Sequence, residues 1–169
     1  DGKVIEEKTS EGILKIFEYD TFGRIISEKF APNTKYENIR EYTYEVYNNH
    51  NNIKIINNGG NEVRLEFNNA GNLISIFKKS LTGKELEINK FHYNKFGLKI
   101  KETEIDYNLS NEKLLEVNNE YEYNHLGTLS KIKHPDGKIE KYDYDPVTLQ
   151  ATCLVGDDVK VTTEYNLAS

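Results

Sequence analysis

A short pattern of apolar and polar positions recurs along the chain. A complete copy reads large apolar, polar, aromatic, Asp or Asn, two variable positions, then Gly. The copies occupy residues 17–23, 42–45, 65–71, 91–97, 121–127 and 142–148. The copy at 42–45 keeps the aromatic pair but lacks the Asp/Asn and the Gly, and the copy at 142–148 has Thr in place of Gly. Because internal self-similarity is the signature of a repeat architecture, the chain is predicted to be a tandem array of six β-hairpins.

The aromatic pair of each copy predicts a strand with one solvated face. Side chains at i and i+2 share a face of a strand, and the residue between them points to the other face. These intervening residues are all polar: Glu18, Thr43, Glu66, His92, Glu122 and Asp143. The next residue, Asp or Asn, suits the first position of a type I turn, and Gly three residues later suits the left-handed conformation of a G1 bulge. Each copy is therefore predicted to be a strand entering a tight hairpin turn.

A second strand is expected to leave each complete turn. These outgoing strands are predicted at Arg24–Phe30, Asn72–Lys79, Leu98–Ile105 and Thr128–Lys133. Gly-, Asn- and Pro-rich turns then lead to the next copy; they are predicted at 31–35, 57–60, 81–84, 108–111 and 135–138. No convincing helix is visible, although Leu109–Asn119 fits either a short helix or a longer hairpin loop.

The pattern predicts an all-β fold, a continuous antiparallel meander of about 10–12 strands. The sheet is expected to be open and curved, or part of a β-shell. We expect a single β domain over residues 1–169, with repeats centred near residues 19, 44, 67, 93, 123 and 144.

The segment Tyr19-Asp20-Thr21-Phe22-Gly23-Arg24-Ile25 resembles the YD repeat of Rhs proteins, toxin-complex C components and teneurins. The resemblance extends over residues 13 to 150. It implies a sheet that spirals into a hollow shell, which often encloses a toxic C-terminal domain and in teneurins presents an adhesion surface. Tyr144-Asp145-Pro146 is similar to part of the Rhs core region, but Thr148-Leu149-Gln150 stands where Gly-Arg-Phe is expected. A self-cleaving core is therefore not implied.

Composition narrows the classes of partner. The net charge of -6 disfavours nucleic acid, which needs a concentrated basic patch. No apolar run approaches the roughly 20 residues that span a bilayer. The chain begins at Asp1 and contains no Met, so we expect an excised or mature fragment of a larger protein. Its single cysteine, Cys153, excludes an internal disulfide framework.

The candidate chemical sites all have simpler interpretations. The aromatic pairs could stack on sugars, but they are expected to form the packed face of the sheet. The residues before each Gly, or its equivalent, are expected to tuck under the turn: Phe22, Ala70, Phe96, Leu126 and Val147. The intervening acids are expected to pair with neighbouring cations such as Arg24, Lys99 and Lys131 rather than to form a catalytic pair or a cation site.

Other reactive residues lack partners at a useful spacing. His50, His92, His125 and His134 show no metal-ligand spacing, and Cys153 has no activating neighbour in the sequence. The sequon that begins at Asn108 is a match expected by chance in an Asn-rich chain. We therefore predict no catalytic, cofactor-binding or metal-binding residues, and a protein that is not an enzyme.

The function expected is a non-catalytic structural scaffold of a secreted or surface YD/Rhs-repeat protein. The chain would form a segment of a shell or spacer associated with a bacterial toxin system. The alternative is a small stand-alone extracellular module that binds glycan or protein. Expected partners are adjacent repeats or domains of the same protein, self-association through sheet edges, or a glycan or protein; neither nucleic acid nor membrane insertion is expected.

Overall fold

The computed structural model describes residues 3–145 in full and, beyond them, the backbone of two strands at 151–155 and 159–162. Within these residues the secondary structure consists of strands and turns, without a helix. The strands are β1 Glu6–Lys8, β2 Leu14–Tyr19, β3 Ile25–Phe30, β4 Asn38–Val46, β5 His50–Asn57, β6 Glu62–Asn68, β7 Leu73–Lys79, β8 Glu85–Tyr93, β9 Lys99–Tyr107, β10 Lys113–Tyr123, β11 Leu129–Lys133, β12 Ile139–Tyr144, β13 Ala151–Val155 and β14 Val159–Thr162.

The order of strands in the sheet is the order in the chain, from β1 to β14, and each described pair is antiparallel. Because β1 and β14 are the outer strands, the sheet is open. The predicted all-β antiparallel meander is confirmed. The described residues contain 14 strands rather than 10–12, because β1 precedes the first of the six predicted hairpins and β14 follows the last.

The chain divides into two compact units, and the boundary between Ile88 and Asn89 falls within β8. The first unit contains β1–β7 and the beginning of β8. The second contains the end of β8 and β9–β14. The assignment of residues 1–169 to a single domain stays a prediction.

The turns at both ends of the hairpins share one backbone geometry. In the turn that begins at Asp20, the Asp20 N–H donates to the Arg24 carbonyl at 2.9 Å, and the Gly23 N–H donates to the Asp20 carbonyl at 3.0 Å. Within the described residues, the same pair of bonds closes nine turns, which begin at Thr9, Asp20, Asn57, Asn68, Ser80, Asn94, Asn108, Asn124 and His134. The turn that the sequence pattern predicts at one edge of the sheet is thus also used at the other.

The side chain of the first residue completes six of these turns. In the turn at Asn124, its Oδ1 accepts the N–H of Leu126 at 2.9 Å and the N–H of Thr128 at 3.1 Å. Equivalent bonds are made by Asp20, Asn57, Asn68, Asn94 and Asn108. This confirms the turn chemistry predicted for Asp and Asn, and it accounts for many asparagines in the chain.

The residues before the turn glycines do not tuck under the turns, so that prediction was wrong. Phe22, Phe96 and Leu126 are 84%, 75% and 71% exposed, and Ala70 is exposed as well. The physical reason is that the described residues form no thick apolar layer beneath these turns, so nothing covers the third side chain. Val147 lies outside the described residues.

The segment from 109 to 119 is neither a helix nor a long loop. A tight turn runs from Asn108 to Glu112, and β10 begins at Lys113. Asn111 has a φ of 63° and occupies the position that Gly holds in the other turns. Asn tolerates this left-handed conformation better than most residues, so the predicted turn at 108–111 forms without glycine.

The predicted outgoing strands are confirmed with small shifts at their ends. Each begins one residue later than predicted, and β9 continues to Tyr107. The incomplete second copy has a different turn, in which the Tyr47 N–H donates to the His50 carbonyl at 2.9 Å. This two-residue connection has no glycine and no bulge.

The described residues form no thick apolar core. Ile105 is the one large apolar side chain among them that is buried, at 8% exposure. The other buried side chains are small and polar: Ser27, Asn52, Ser75 and Thr103. Contacts between side chains on neighbouring strands therefore carry much of the stabilisation, as is usual in a sheet that is half-solvated.

Candidate functional site

In each of the two units, one face of the sheet carries both residues of every aromatic pair, and we call it the aromatic face. Its members are Phe17, Tyr19, Tyr42, Tyr44, Leu65, Phe67, Phe91, Tyr93, Tyr121, Tyr123, Tyr142 and Tyr144, all of which are half-buried. The intervening residues are exposed, except for Glu66, which is half-buried. The predicted alternation between a packed and a solvated face is therefore confirmed.

The second tyrosine of a repeat bonds to the backbone of the preceding hairpin. The Tyr44 hydroxyl donates to the Ile25 carbonyl at 2.8 Å, and the Tyr123 hydroxyl donates to the Lys99 carbonyl at 2.7 Å. The same bond joins Tyr144 to Leu129 and Tyr19 to Val4. Each acceptor lies two residues after a Gly. We call this bond the tyrosine latch.

The latch fills a gap in the backbone ladder between hairpins. Pairing between hairpins begins four residues after the turn Gly, at Ser27 with Glu41, Lys101 with Glu120 and Lys131 with Lys141. The first residues of the outgoing strand lie outside that ladder, so a carbonyl there needs another donor. The gap accompanies the bulge within the hairpin, where the register shifts beside the second aromatic residue.

After the second repeat, the backbone ladder has no such gap. Pairing of β4 with β5 runs without a shift up to Val46 and Asn51, and β5 pairs with β6 from its first residue, His50. The start of β5 is therefore inside the ladder, and no carbonyl equivalent to that of Ile25 is left over. The aromatic residue of the following repeat is Phe67, which has no hydroxyl. At this junction, therefore, the tyrosine hydroxyl is absent and the carbonyl that it would bond is already paired in the ladder.

Charged side chains lie against the aromatic face. The Arg24 guanidinium carbon is 4.4 Å from the centroid of the Tyr44 ring, and Arg24 also pairs with Asp20 at 2.7 Å. The Lys99 ammonium is 4.8 Å from the centroid of the Tyr121 ring and bonds Glu102 at 2.6 Å. The predicted pairing of Arg24 and Lys99 with the intervening acids was therefore wrong, because both lie on the aromatic face.

Two carboxylates accept hydrogen bonds from the first tyrosine of the next repeat. The Tyr42 hydroxyl donates to Glu28 and the Tyr121 hydroxyl donates to Glu102, both at 3.0 Å. Burial and the neighbouring carboxylate raise the pKa of Tyr42 and of Tyr121 above 10.0. Both phenols therefore keep their protons at neutral pH and act as donors.

The intervening acids on the opposite face form ordinary pairs with cations. Glu18 lies 2.7 Å from Lys29, and Glu122 lies 2.8 Å from Lys131, as predicted for Lys131. Solvated pairs of this kind contribute about 0–1 kcal/mol each. These contacts support structural pairing of the acids, not acid/base chemistry.

The sequence interpretation missed the best-connected charge on this face, Arg64. Its Nε and Nη2 donate to both Glu85 oxygens at 2.8 Å, and its Nη1 donates to Glu66 at 2.9 Å and to Asn52 at 3.2 Å. Its guanidinium carbon lies 3.8 Å from the centroid of the Phe77 ring. Hydrogen bonds from Arg64 hold the pKa of Glu85 below its usual 4.5. The one sequence signal is the i, i+2 spacing of Arg64 and Glu66, which places them on the same face.

The histidines are not brought together into a site. His50 stacks on Tyr47 with ring centroids 4.5 Å apart, and His134 Nε2 lies 2.8 Å from Glu140 Oε1. His92 and His125 are exposed. Across the described residues, no group of three or more His, Cys, Asp or Glu side chains could hold a metal ion. Cys153 lies in β13, whose side chains are outside the described part of the chain.

The family-level comparison matches this repeat geometry. A family model described as teneurin YD-shell covers residues 1–166. The chain belongs to the teneurin YD-shell family. The resemblance expected from the six sequence copies is thereby confirmed, and the tyrosine latch joins successive hairpins of a YD-shell sheet.

Two of the solved structures that match this chain come from toxin complexes. The Tc holotoxin pore of Photorhabdus luminescens, with a mutated TccC3 component, matches 91% of this YD-shell chain at 16% identity and a TM-score of 0.51. A TcdB2-TccC3-Cdc42 structure matches 90% at 14% identity and a TM-score of 0.30. The chain covers 10% and 12% of those two chains, respectively. Among curated proteins, no match was found.

The described part of this YD-shell chain has no helix long and apolar enough to cross a membrane. Its two most developed constellations are the tyrosine latches on the aromatic face and the Arg64 cluster on the other face. Both connect strands, and neither brings an unpaired nucleophile or base into a sheltered cleft.

Proposed function

We propose that this YD-shell chain is a non-catalytic structural segment of a secreted or surface-displayed protein. It acts as part of a shell or spacer associated with a toxin system. Its main partners are adjacent repeats or domains of the same protein, and its outer strands offer edges for further pairing. The observation that carries this proposal is the tyrosine latch, because the hairpins that make it bond their tyrosine to the backbone of the preceding hairpin.

Four further observations support the proposal. Membership of the YD-shell family favours a shell role, and the similar fold in a toxin-complex structure favours an association with toxins. The chain spans about a tenth of the length of that structure, so a role as one segment of a longer shell is consistent with its size. The individual pairing of Glu18 and Glu122 with lysines supports a non-catalytic role.

The test uses the flanking sequence of the native gene. A protein that carries this chain together with its neighbouring segments should unfold at a higher urea concentration than the chain alone, because each repeat is stabilised by its neighbours. Protease treatment of intact cells should remove it, as expected for a secreted or surface protein. The proposal fails if the flanking segments contain no further YD repeats and add no stability.

A second function, binding of a protein or glycan, is favoured by the exposed apolar residues at the turns. Within the second unit, Phe96 and Leu126 occupy equivalent positions in two turns of the same sheet edge and are strongly exposed. Large exposed apolar side chains on a repeat scaffold are typical of contact surfaces. Asp substitution at both positions should abolish capture of a ligand identified by a glycan array or a pull-down; capture that survives would place the contact elsewhere.

A further inference from the structure

Asn58 joins the tip of a turn to a neighbouring loop. Its side-chain Nδ2 donates to the Glu37 carbonyl at 3.0 Å, and its backbone N–H donates to the Ile39 carbonyl, also at 3.0 Å. The turn that contains Asn58 begins at Asn57 and has the geometry of the nine shared turns. Asn58 therefore holds the end of the segment that connects β3 with β4.

This connecting segment contains two non-glycine residues in the left-handed region. Ala31 has a φ of 49° and Asn33 a φ of 60°, and this conformation is costly for alanine because of its Cβ. The Asn33 N–H donates to the Glu37 carboxylate at 2.8 Å, and Tyr36 is 70% exposed. The bond from Asn58 to Glu37 thus helps to hold a strained segment in place.

Asn58 is also the one asparagine in the sequence that a glycine follows. Asn58, Gly59 and Gly60 are all exposed. The backbone nitrogen of the next residue is the internal nucleophile that attacks an asparagine side-chain amide, and a side chain on that residue hinders the attack. Glycine has no Cβ and turns more freely than any other residue, so the sequence at Asn58 removes this hindrance.

Asn69 provides a matched comparison within the same unit. It occupies the same position in the turn that begins at Asn68, and its Nδ2 donates to the Asn48 carbonyl at 3.2 Å. The Gly59 N–H and the Ala70 N–H each donate to the Oδ1 of the first residue of their turn, at 3.1 Å and 3.0 Å. The two turns share these bonds, but the asparagine is followed by glycine in one and by alanine in the other.

We propose that Asn58 is a site of spontaneous deamidation, which releases the segment between β3 and β4. The Gly59 nitrogen loses its proton and bonds to the Asn58 Cγ, and the side-chain nitrogen takes up a proton and leaves as ammonia. Water then opens the resulting succinimide at either carbonyl, so that residue 58 becomes aspartate or isoaspartate. The bond from the Gly59 N–H to Asn57 opens first, and it lies in an exposed turn.

The product no longer holds the segment. An ionised carboxylate only accepts hydrogen bonds, so it cannot donate to the Glu37 carbonyl as the amide does. In isoaspartate the main chain passes through the side-chain carbon, which lengthens the backbone and disrupts the bonds of the turn at Asn57. This inference does not depend on the shell role.

Peptide mass spectrometry of the folded full chain, incubated at mildly alkaline pH, measures the reaction. Alkaline pH favours it because the attacking nitrogen must lose its proton. We expect aspartate and isoaspartate to form at Asn58 at least about tenfold faster than at Asn69, which corresponds to a barrier lower by about 1.4 kcal/mol. Equal rates at the two sites, or reaction at Asn58 only after unfolding in urea, would overturn the proposal.

Two reciprocal variants test the part played by glycine. Gly59→Ala should suppress the reaction at Asn58, and the added Cβ would meet no atom nearer than 3.4 Å. Ala70→Gly should make Asn69 react as fast as Asn58 does. If Gly59→Ala does not fold, Ala70→Gly decides; unchanged rates in either folded variant refute the site.

Amide hydrogen exchange measured by NMR tests the release of the segment. Asn58→Asp removes the amide donor, so the N–H groups of Tyr36 and Glu37, which bond within the segment, should exchange about threefold faster or more, the effect of losing one hydrogen bond. Asn69→Asp is the matched control and should leave both unchanged. Unchanged exchange in Asn58→Asp, or equal changes in the two variants, contradicts the release.

Discussion

Replacing Tyr123 by Phe removes the donor of one tyrosine latch and keeps the ring. The Tyr123 hydroxyl donates to the Lys99 carbonyl at 2.7 Å, and Lys99 lies outside the ladder between β9 and β10, which begins at Lys101. A hydrogen bond contributes about 0.5–1.5 kcal/mol net, and a buried acceptor left without a donor costs about 1–3 kcal/mol. Because Tyr123 is half-buried, water can replace part of the loss. We therefore expect Tyr123→Phe to reduce the free energy of unfolding by about 1 kcal/mol.

Equilibrium unfolding in urea measures this loss. With a slope of about 2 kcal/mol per M, the midpoint should fall by about 0.5 M. Tyr36→Phe is the matched control, because Tyr36 is 70% exposed on a loop, and it should change stability by less than about 0.5 kcal/mol. Phe67→Tyr is the reverse test and should bring no comparable gain, since the ladder around His50 leaves no free carbonyl. Equal midpoints for Tyr123→Phe and Tyr36→Phe would refute the latch as a source of stability.

Three further predictions concern the turns and the Arg64 cluster. Gly71 has a φ of 82°, so Gly71→Ala should reduce the free energy of unfolding in urea by about 1–2 kcal/mol. Gly71→Asn should reduce it less, because Asn111 already adopts this conformation. Equal losses in the two variants would contradict the backbone argument. Asn124→Ala should cost about 1–2 kcal/mol because two turn N–H groups lose their acceptor, while Asn124→Asp should cost much less; similar losses would show that the side-chain oxygen is unimportant. Arg64 holds the pKa of Glu85 in the folded state below the 4.5 expected in the unfolded state. Between these two pKa values, the unfolded state therefore binds more protons than the folded state. The stabilisation by this pair is present above pH 4.5 and is lost as the pH falls through the folded-state pKa. Glu85→Gln should therefore weaken the pH dependence of the free energy of unfolding in acid. An unchanged pH profile would contradict the contribution of Glu85.

Much of the fold was predictable from strictly local signals. The alternation around Phe17 and Tyr19 and the Asp20 to Gly23 spacing describe a strand and its turn within seven residues, and the structure repeats both. The segment around Asn111 was harder, because an asparagine takes the left-handed position that a search for Gly overlooks. The exposure of Phe22 was mispredicted, because an apolar residue in a turn gives no sign of whether an apolar layer lies beneath it.

The contacts between hairpins were harder to predict from the sequence. The acceptor of a tyrosine latch is a backbone carbonyl, which every residue possesses, so Ile25 and Lys99 carry no distinguishing side chain. Arg64 on β6 reaches Glu85 on β8, 21 residues away, and this pairing follows only once the order of the strands in the sheet is known.

The closure of the six Asp/Asn turns separates the residues that build the sheet from those that face outward. In the turn at Asn94, the bonds involve the Asn94 side chain and the backbone, and the side chains of Lys95 and Phe96 take no part. The two middle residues of this turn can therefore change with little effect on the fold. Asn58 and Asn69 are exceptions, because their side chains bond the backbone of a neighbouring segment. The other turns of this kind offer independently variable positions, through which related proteins could acquire new specificities while the strands beneath stay the same.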